Sequence, residues 1–219
     1  MNRNRRVCVV GSIALPVLVA LGASLLPAFA AEFKATLLVH ESGQPKSIPI
    51  HVKGSKYRLD REEKGEKFAV IVGQKVGVII SVNHARKMYM EFPTSEFGAG
   101  FLDPLQSIEL TAKLASAEKK SLGTEIVNGY LCDKYALIPK EYEAEARKYI
   151  PAPEQAGKPL MIYWVAQKLN FPIKIVSVTL EGGPAMEVTN ITEEPVDDAM
   201  FQIPAGFTSV GQSGPPPPQ

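Results

Sequence analysis

Short apolar runs and turn-forming residues alternate along most of the chain. Between Glu32 and Phe92 the runs begin roughly every 8 to 12 residues, which is the spacing of an antiparallel meander. Glycine, proline, asparagine or pairs of charged residues separate them. The pattern predicts strands over residues 33–41, 47–53, 56–61, 67–72, 76–82 and 86–92.

Within several of these runs every second residue is apolar, which predicts strands with one buried face and one face in water. Alternation puts the following side chains on shared faces: Tyr57 with Leu59, and Met88 with Met90 and Phe92. The run from Val76 to Val82 is apolar on both faces, which predicts a central strand covered on both sides.

A helical period replaces the alternation after Gly98 and Gly100. Asp103 suits the N-cap of a helix and Pro104 its first turn. A second helical stretch is predicted from Lys140 to Tyr149. The apolar positions at helical spacing in the first stretch are Phe101, Leu105, Ile108, Ala112 and Ala115.

Strand patterns resume with a predicted hairpin over residues 123–138, which turns at Asn128-Gly129, a dipeptide that accepts the positive φ angles of a tight turn. The later predicted strands cover residues 160–166, 173–180 and 185–191, with a short last strand from Ala199 to Ile203. About a dozen strands and two helical inserts indicate a mainly β (α+β) fold.

The N-terminus has the pattern of a cleavable secretory signal peptide over residues 1–30. Arginines precede an apolar run from Val7 through Leu26, and Ala28-Phe29-Ala30 matches a signal-peptidase site. A retained membrane anchor is the alternative, since the run is nearly long enough to span a bilayer. We expect one domain over residues 31–208, followed by a disordered Pro-rich tail over residues 209–219.

The expected location is the periplasm, reached by the general or the twin-arginine route. Cys8 lies at the very start of the apolar run and has no lipobox before it, so no permanent membrane anchor is expected. The 219-residue chain has a formal net charge of +1 at pH 7, which gives no reason to expect nucleic acid as a partner.

Residues for catalysis or metal binding are scattered. His40 and His51 fall on different predicted strands and His84 falls between two others. The three have no metal-ligand spacing, and no hydrolase motif is present. Cys132 lies in an alternating run, where a buried small hydrophobe is the default and a reactive thiol is the alternative. We predict no catalytic site, no metal and no cofactor.

Several ordered motifs resemble a family. They are Val52-Lys53-Gly54-Ser55-Lys56-Tyr57-Arg58-Leu59-Asp60, Lys87-Met88-Tyr89-Met90-Glu91, Gly123-Thr124-Glu125 through Tyr135, Tyr163-Trp164-Val165-Ala166, Asn170-Phe171-Pro172-Ile173-Lys174 and Asp197-Asp198 through Thr208. Together they are similar to an uncharacterised bacterial domain family with the fold of the periplasmic lipoprotein carrier of the Lol system.

The resemblance implies an incompletely closed, strongly curved antiparallel β-barrel of about eleven strands, with helices covering the concave face. It also implies space for acyl chains between sheet and helices. The chain departs from the carrier at one position. In the carrier an arginine there helps to hold the helical lid shut, whereas this chain has Gly54. Arg58 lies in the same strand region and is a candidate to replace that arginine. However, Lys56, Arg58 and Asp60 alternate on one polar face, which predicts that Arg58 is a solvated strand residue.

The sequence therefore favours a soluble, non-enzymatic periplasmic binding protein for an acyl chain, a lipoprotein or another apolar ligand. An envelope sensing or scaffolding module that binds a protein partner, with no lipid ligand, is the alternative. Gly98 and Gly100 are the predicted hinge. The predicted apolar lining is Tyr57, Leu59, Met88, Met90, Phe92, Leu105, Ile108 and Trp164.

Overall fold

The structure is a computed structural model that describes part of the chain. The predicted signal peptide, the predicted second helix and the predicted hinge glycines lie outside the described residues. In the part of the chain that is described, no helix is long and apolar enough to cross a membrane. The described residues are 31–40, 45–75, 77–93, 108, 112, 116–139, 158–178 and 185–212.

The described residues contain twelve strands, which form one sheet. Their bounds are β1 (Glu32–His40), β2 (Lys46–Lys53), β3 (Lys56–Glu63), β4 (Glu66–Lys75), β5 (Val78–Asn83), β6 (Met88–Pro93), β7 (Ala117–Val127), β8 (Tyr130–Pro139), β9 (Met161–Ala166), β10 (Phe171–Ser177), β11 (Ala185–Thr192) and β12 (Thr208–Gln212).

The strand order is β12-β6-β5-β4-β3-β2-β1-β11-β10-β9-β8-β7. Two antiparallel meanders, β1–β6 and β7–β11, are joined where β1 pairs with β11. The β7–β8 hairpin turns at Asn128 and Gly129, whose φ angles are +50° and +83°. That turn is therefore the one predicted from the dipeptide.

The sheet is strongly curved. Tyr57 on β3 and Phe171 on β10 are four strands apart in the sheet, a span of about 19 Å if the sheet were flat. Their ring centroids are 6.2 Å apart, and the ring of Phe33 on β1 is 5.4 Å from that of Phe171. The face that carries these rings is consequently the concave face.

Two apolar clusters lie against the sheet. The larger, which we call the inner cluster, includes Phe33, Leu37, Ile50, Tyr57 and Ile175 and fills the concave side. The smaller, the outer cluster, lies on the opposite face of β4 and β5. Its buried members are Ala69, Ile71, Ile80, Val82, Val196 and Phe201.

Strand β5 confirms the prediction of a strand covered on both sides. Ile79 belongs to the inner cluster, and its neighbour Ile80 belongs to the outer cluster. Successive side chains point to opposite faces of a sheet, so a run that is apolar throughout can contribute to two cores.

The last predicted strand, Ala199 to Ile203, is wrong. Residues Asp198–Phe201 form a short 3-10 helix, which Asp197 caps by accepting a hydrogen bond from the backbone N–H of Ala199. The turn lies across the face of β3 and β4, where it has no strand edge to pair with, and it buries Phe201.

The final strand is β12, which pairs parallel with β6 at the sheet edge. In the described residues the sheet thus has twelve strands, close to the expected number of about eleven, and the β12–β6 pairing is parallel rather than antiparallel. Four residues of the predicted tail, 209–212, belong to this strand. Residues 193–207, which link β11 to β12, carry the chain over the outer cluster to this edge and contribute Val196 and Phe201 to it.

Of the first predicted helix, residues 101–115, only Ile108 and Ala112 are described. Both are helical and pack against the inner cluster. The remainder of that helix lies outside the described residues, so helical coverage of the concave face stays a prediction.

Candidate functional site

The concave face of β3–β6 carries apolar side chains in cross-strand rows. Directly opposed residues of neighbouring strands share a face, so the pairing registers define each row. The first row is Tyr57, Val72, Ile79 and Phe92. The second row is Leu59, Val70, Ser81 and Met90.

A third row continues the concave face toward the end of the sheet. It consists of Arg61, Phe68, Asn83 and Met88. Sequence reasoning overlooked Arg61 and Phe68 as concave-face residues. The signal was available for Arg61, because it continues the alternation of Tyr57 and Leu59.

Five predicted lining residues therefore lie together on one surface. Tyr57 and Leu59 are buried, at 1% and 2% exposure. Met88, Met90 and Phe92, at the β6 end of the rows, are only half-buried. Apolar side chains on a concave face that remain partly accessible can contact an apolar ligand.

The other predicted lining residues are not part of these rows. Ile108 is half-buried and contacts the inner cluster. Leu105, Gly98 and Gly100 lie outside the described residues.

Trp164 lies outside these rows, although at 7% exposure it is a buried member of the inner cluster. It is directly opposed in register to Lys134 and Lys174, whose ammonium groups lie 4.8 and 5.3 Å from the indole ring. Its Nε1 donates a hydrogen bond of 3.0 Å to Glu125, a carboxylate with an accessible side chain. The preceding residue, Tyr163, packs on Tyr135 with ring centroids 5.4 Å apart.

Arg58 is not the solvated residue that the sequence predicts. Its side chain is 13% exposed and lies on the face opposite Tyr57. Nε donates to Asp60 over 2.8 Å, and Nη1 donates to the carbonyl oxygen of Met200 over 3.0 Å. The guanidinium therefore connects β3 to the C-terminal segment rather than reaching a lid over the concave face.

Two histidines flank this arginine. His84 Nε2 lies 3.4 Å from Arg58 Nη2, and His51 Nδ1 lies 3.5 Å from Asp60 Oδ2. Burial lowers the pKa of both imidazoles, and Arg58 lowers both further, whereas Asp60 opposes the shift. Both rings are thus biased toward the neutral form around a buried arginine.

Cys132 is a buried free thiol, as predicted. Burial raises the pKa of its thiol, and Sγ donates to the carbonyl oxygen of Tyr130 over 3.3 Å. A thiol with a raised pKa is a poor nucleophile at neutral pH. Among the described residues, no three His, Cys, Asp or Glu side chains are grouped so that they could hold a metal ion.

Comparison with known proteins finds a family model that matches part of the chain and solved structures of similar fold. A family model described as a domain of unknown function (DUF4412) matches residues 151–207. No curated protein matches the chain. An uncharacterised conserved protein from Thermus thermophilus is 9% identical with a TM-score of 0.51, over 84% of this chain and 92% of that one.

Two further solved structures are similar at lower TM-scores. A LolA superfamily protein from Nitrosomonas europaea is 9% identical with a TM-score of 0.36, over 79% of this chain and 90% of that one. The MucA/MucB complex of Pseudomonas aeruginosa gives 12% identity and a TM-score of 0.35, over 79% of this chain and 56% of that one. The chain is thus similar to an uncharacterised domain family, as its motifs predict, and its fold is similar to that of the Thermus thermophilus protein.

Proposed function

We propose that the protein is a non-enzymatic periplasmic binding protein that holds an acyl chain or a similar apolar ligand on its concave face. The observation that carries the proposal is the half-burial of Met88, Met90 and Phe92, in rows whose other members include buried Tyr57 and Leu59. The periplasmic location rests on the pattern of residues 1–30.

The chemistry of these side chains suits a flexible chain. Methionine has an adaptable, polarizable thioether, so Met88 and Met90 can follow the shape of different alkyl chains. Burial of about a dozen methylenes contributes about 10 kcal/mol at ~0.8 kcal/mol each. Immobilisation removes several kcal/mol of this, so we expect a dissociation constant on the order of tens of micromolar.

A fluorescent fatty acid is the probe that tests this function. We expect it to bind the wild-type protein and to bind Met90→Glu at least about tenfold more weakly, because a buried carboxylate costs several kcal/mol. Ile126→Glu is the matched control, since Ile126 is apolar but 72% exposed on β7. Equal binding by wild type and Met90→Glu, or no binding by the wild type, would refute the proposal.

A second candidate function is the docking of an envelope protein. The observation that favours it is an exposed apolar pair, Ile126 and Leu131, which are opposed in register and 72% and 50% exposed. Ile126 lies on β7, one of the two edge strands of the sheet as described, and such edges accept additional strands. A photo-crosslinker at position 126 that gives one defined adduct in cells, lost in Leu131→Glu, would support it.

A further inference from the structure

The sheet opens between β2 and β3. These strands pair only from Ile50 opposite Leu59 to Lys53 opposite Lys56. Their other pairings continue, since β2 pairs with β1 as far as Lys46 and β3 pairs with β4 as far as Glu63. The two strands therefore part beyond Ile50.

Pro49 explains where the pairing stops. It directly precedes Ile50, and a proline has no N–H to donate to a neighbouring strand. The opening contains a cavity of about 790 Å³. It lies at the end of the sheet where the third concave-face row begins.

The cavity joins the two faces of the sheet. Its walls include Ile48, a member of the inner cluster, and Phe68, a member of the third row. They also include Ser47, which precedes Ile48 on β2 and so points to the other side, and His84, whose Nε2 lies 3.4 Å from Nη2 of Arg58 on that side. A ligand in the cavity can therefore contact the concave face and the outer surface together.

The cavity lining has one more basic side chain than acidic side chains. Four lysine and arginine side chains and three carboxylates line the cavity. One pair is already neutralised, because Arg58 Nη2 lies 2.7 Å from Asp60 Oδ1. The other charged lining residues are Lys46, Arg61, Lys67, Glu62 and Glu63, of which Arg61 and Glu63 also form an ion pair.

Arg61 is the cation best placed for a ligand. Its side chain is 13% exposed and lies in the same row as Phe68. Its Nη1 lies 3.3 Å from Oε1 of Glu63, a side chain that is 56% exposed. Burial lowers the pKa of the Arg61 guanidinium despite this carboxylate. A further anion nearby would favour the charged form, and the planar guanidinium suits carboxylate and phosphate groups.

We propose that this cavity is the head-group site of an anionic amphiphile, with a carboxylate or phosphate beside Arg61 and the chain running along the third row over Phe68 toward Met88. The inference rests on the proposed function and adds the chemical class of the ligand. Three interstrand spacings separate β3 from β6, at most about 14 Å, comparable with an extended medium-length acyl chain.

Ligands with one chain and different head groups test the inference. Dodecanoate, dodecyl phosphate and dodecanol are titrated against the fluorescent fatty acid at low ionic strength. We expect both anions, or the one that matches the natural head group, to bind about tenfold more tightly than dodecanol, as for a charged hydrogen-bonded pair. Added salt should reduce that preference.

Arg61→Met should remove the preference, because it should weaken the binding of the two anions much more than the binding of dodecanol. Arg86→Met is the matched control, because Arg86 is 62% exposed and pairs with Glu66 outside the cavity lining. Lys46→Gln, at an exposed position, should reduce the preference about twofold, and it serves if Arg61→Met does not fold.

The outcomes separate the two proposals. Equal affinities of the wild type for dodecanol and both anions, or an undiminished preference in folded Arg61→Met and Lys46→Gln, would overturn the head-group site and leave the apolar site in place. Failure of all three ligands and of the fluorescent fatty acid to bind would overturn the proposed function, and the head-group site with it.

Discussion

Arg58 Nη1 on β3 donates a hydrogen bond of 3.0 Å to the carbonyl oxygen of Met200, a residue 142 positions later in the chain. A parallel link runs from Lys53 Nζ to the carbonyl oxygen of Val196 over 3.1 Å and to Asp198 Oδ2 over 3.0 Å. The segment after β11 is therefore held to β2 and β3 by charged donors, and it covers the outer cluster.

Arg58→Met should destabilise the protein by about 2–3 kcal/mol. The substitution removes charge-assisted hydrogen bonds and leaves the Asp60 carboxylate, 31% exposed, without its nearest cation. Urea denaturation measures the free energy of unfolding. Arg86→Met, which breaks an exposed ion pair with Glu66, should cost less than about 1 kcal/mol. Equal losses in the two variants would contradict the role given to Arg58.

Phe201→Ala should cost about 3 kcal/mol or more without weakening the binding of a fluorescent fatty acid. Phe201 is 1% exposed in the outer cluster, and its removal leaves a cavity on the face opposite the proposed site. Val210→Ala, at a position 45% exposed, is the control and should change stability by less than about 0.5 kcal/mol. A large loss of fatty-acid affinity in folded Phe201→Ala would show that the two faces are not independent.

Stability should fall as the pH drops below about 6.5. Burial lowers the pKa of His51 and His84 below the ordinary 6.5, so the unfolded chain binds more protons than the folded protein in that range. The loss begins near the unfolded value and is complete once the pH is below the folded pKa of each ring. Thermal unfolding from pH 7.5 to 5 measures it, and the double variant His51→Gln, His84→Gln should show a shallower decline. An identical decline in the double variant would assign the effect to other groups.

The fluorescence of Trp164 should change little when an apolar ligand binds. It is the only tryptophan in the chain, and its ring lies between Lys134 and Lys174 on the face opposite Tyr163. Glu125→Gln, which alters the acceptor of the indole N–H, should shift its emission without ligand. A large emission shift on adding dodecanol would place Trp164 in the site, as its sequence position predicts.

The two-residue period of the sequence predicts the concave face of β3 and β6 correctly. Tyr57, Leu59, Met88, Met90 and Phe92 alternate with polar residues or with less apolar ones, so their common face follows from strand geometry alone. The turn at Asn128 is equally local, because its positive φ angle is a property of the dipeptide.

The sequence does not reveal which faces of the sheet are covered by segments that are distant in the chain. Arg58 alternates with Lys56 and Asp60 as a solvated residue would, and only the return of residues 196–207 over β3 buries it. Trp164 and Tyr163 are adjacent aromatics in a run that is apolar on both faces, so alternation does not say which of them faces the concave side. The opening beside Pro49 depends on how two strands diverge, and the proline alone marks where pairing ends.

Native mass spectrometry of the protein purified from its own cells without added lipid tests the central claim most directly. The account predicts a species heavier than the polypeptide by the mass of an acyl-chain ligand, which is lost in Met90→Glu and retained in Ile126→Glu. A wild-type protein that arrives bare, and that gains no thermal stability from fatty acids or lipopeptides, would contradict it.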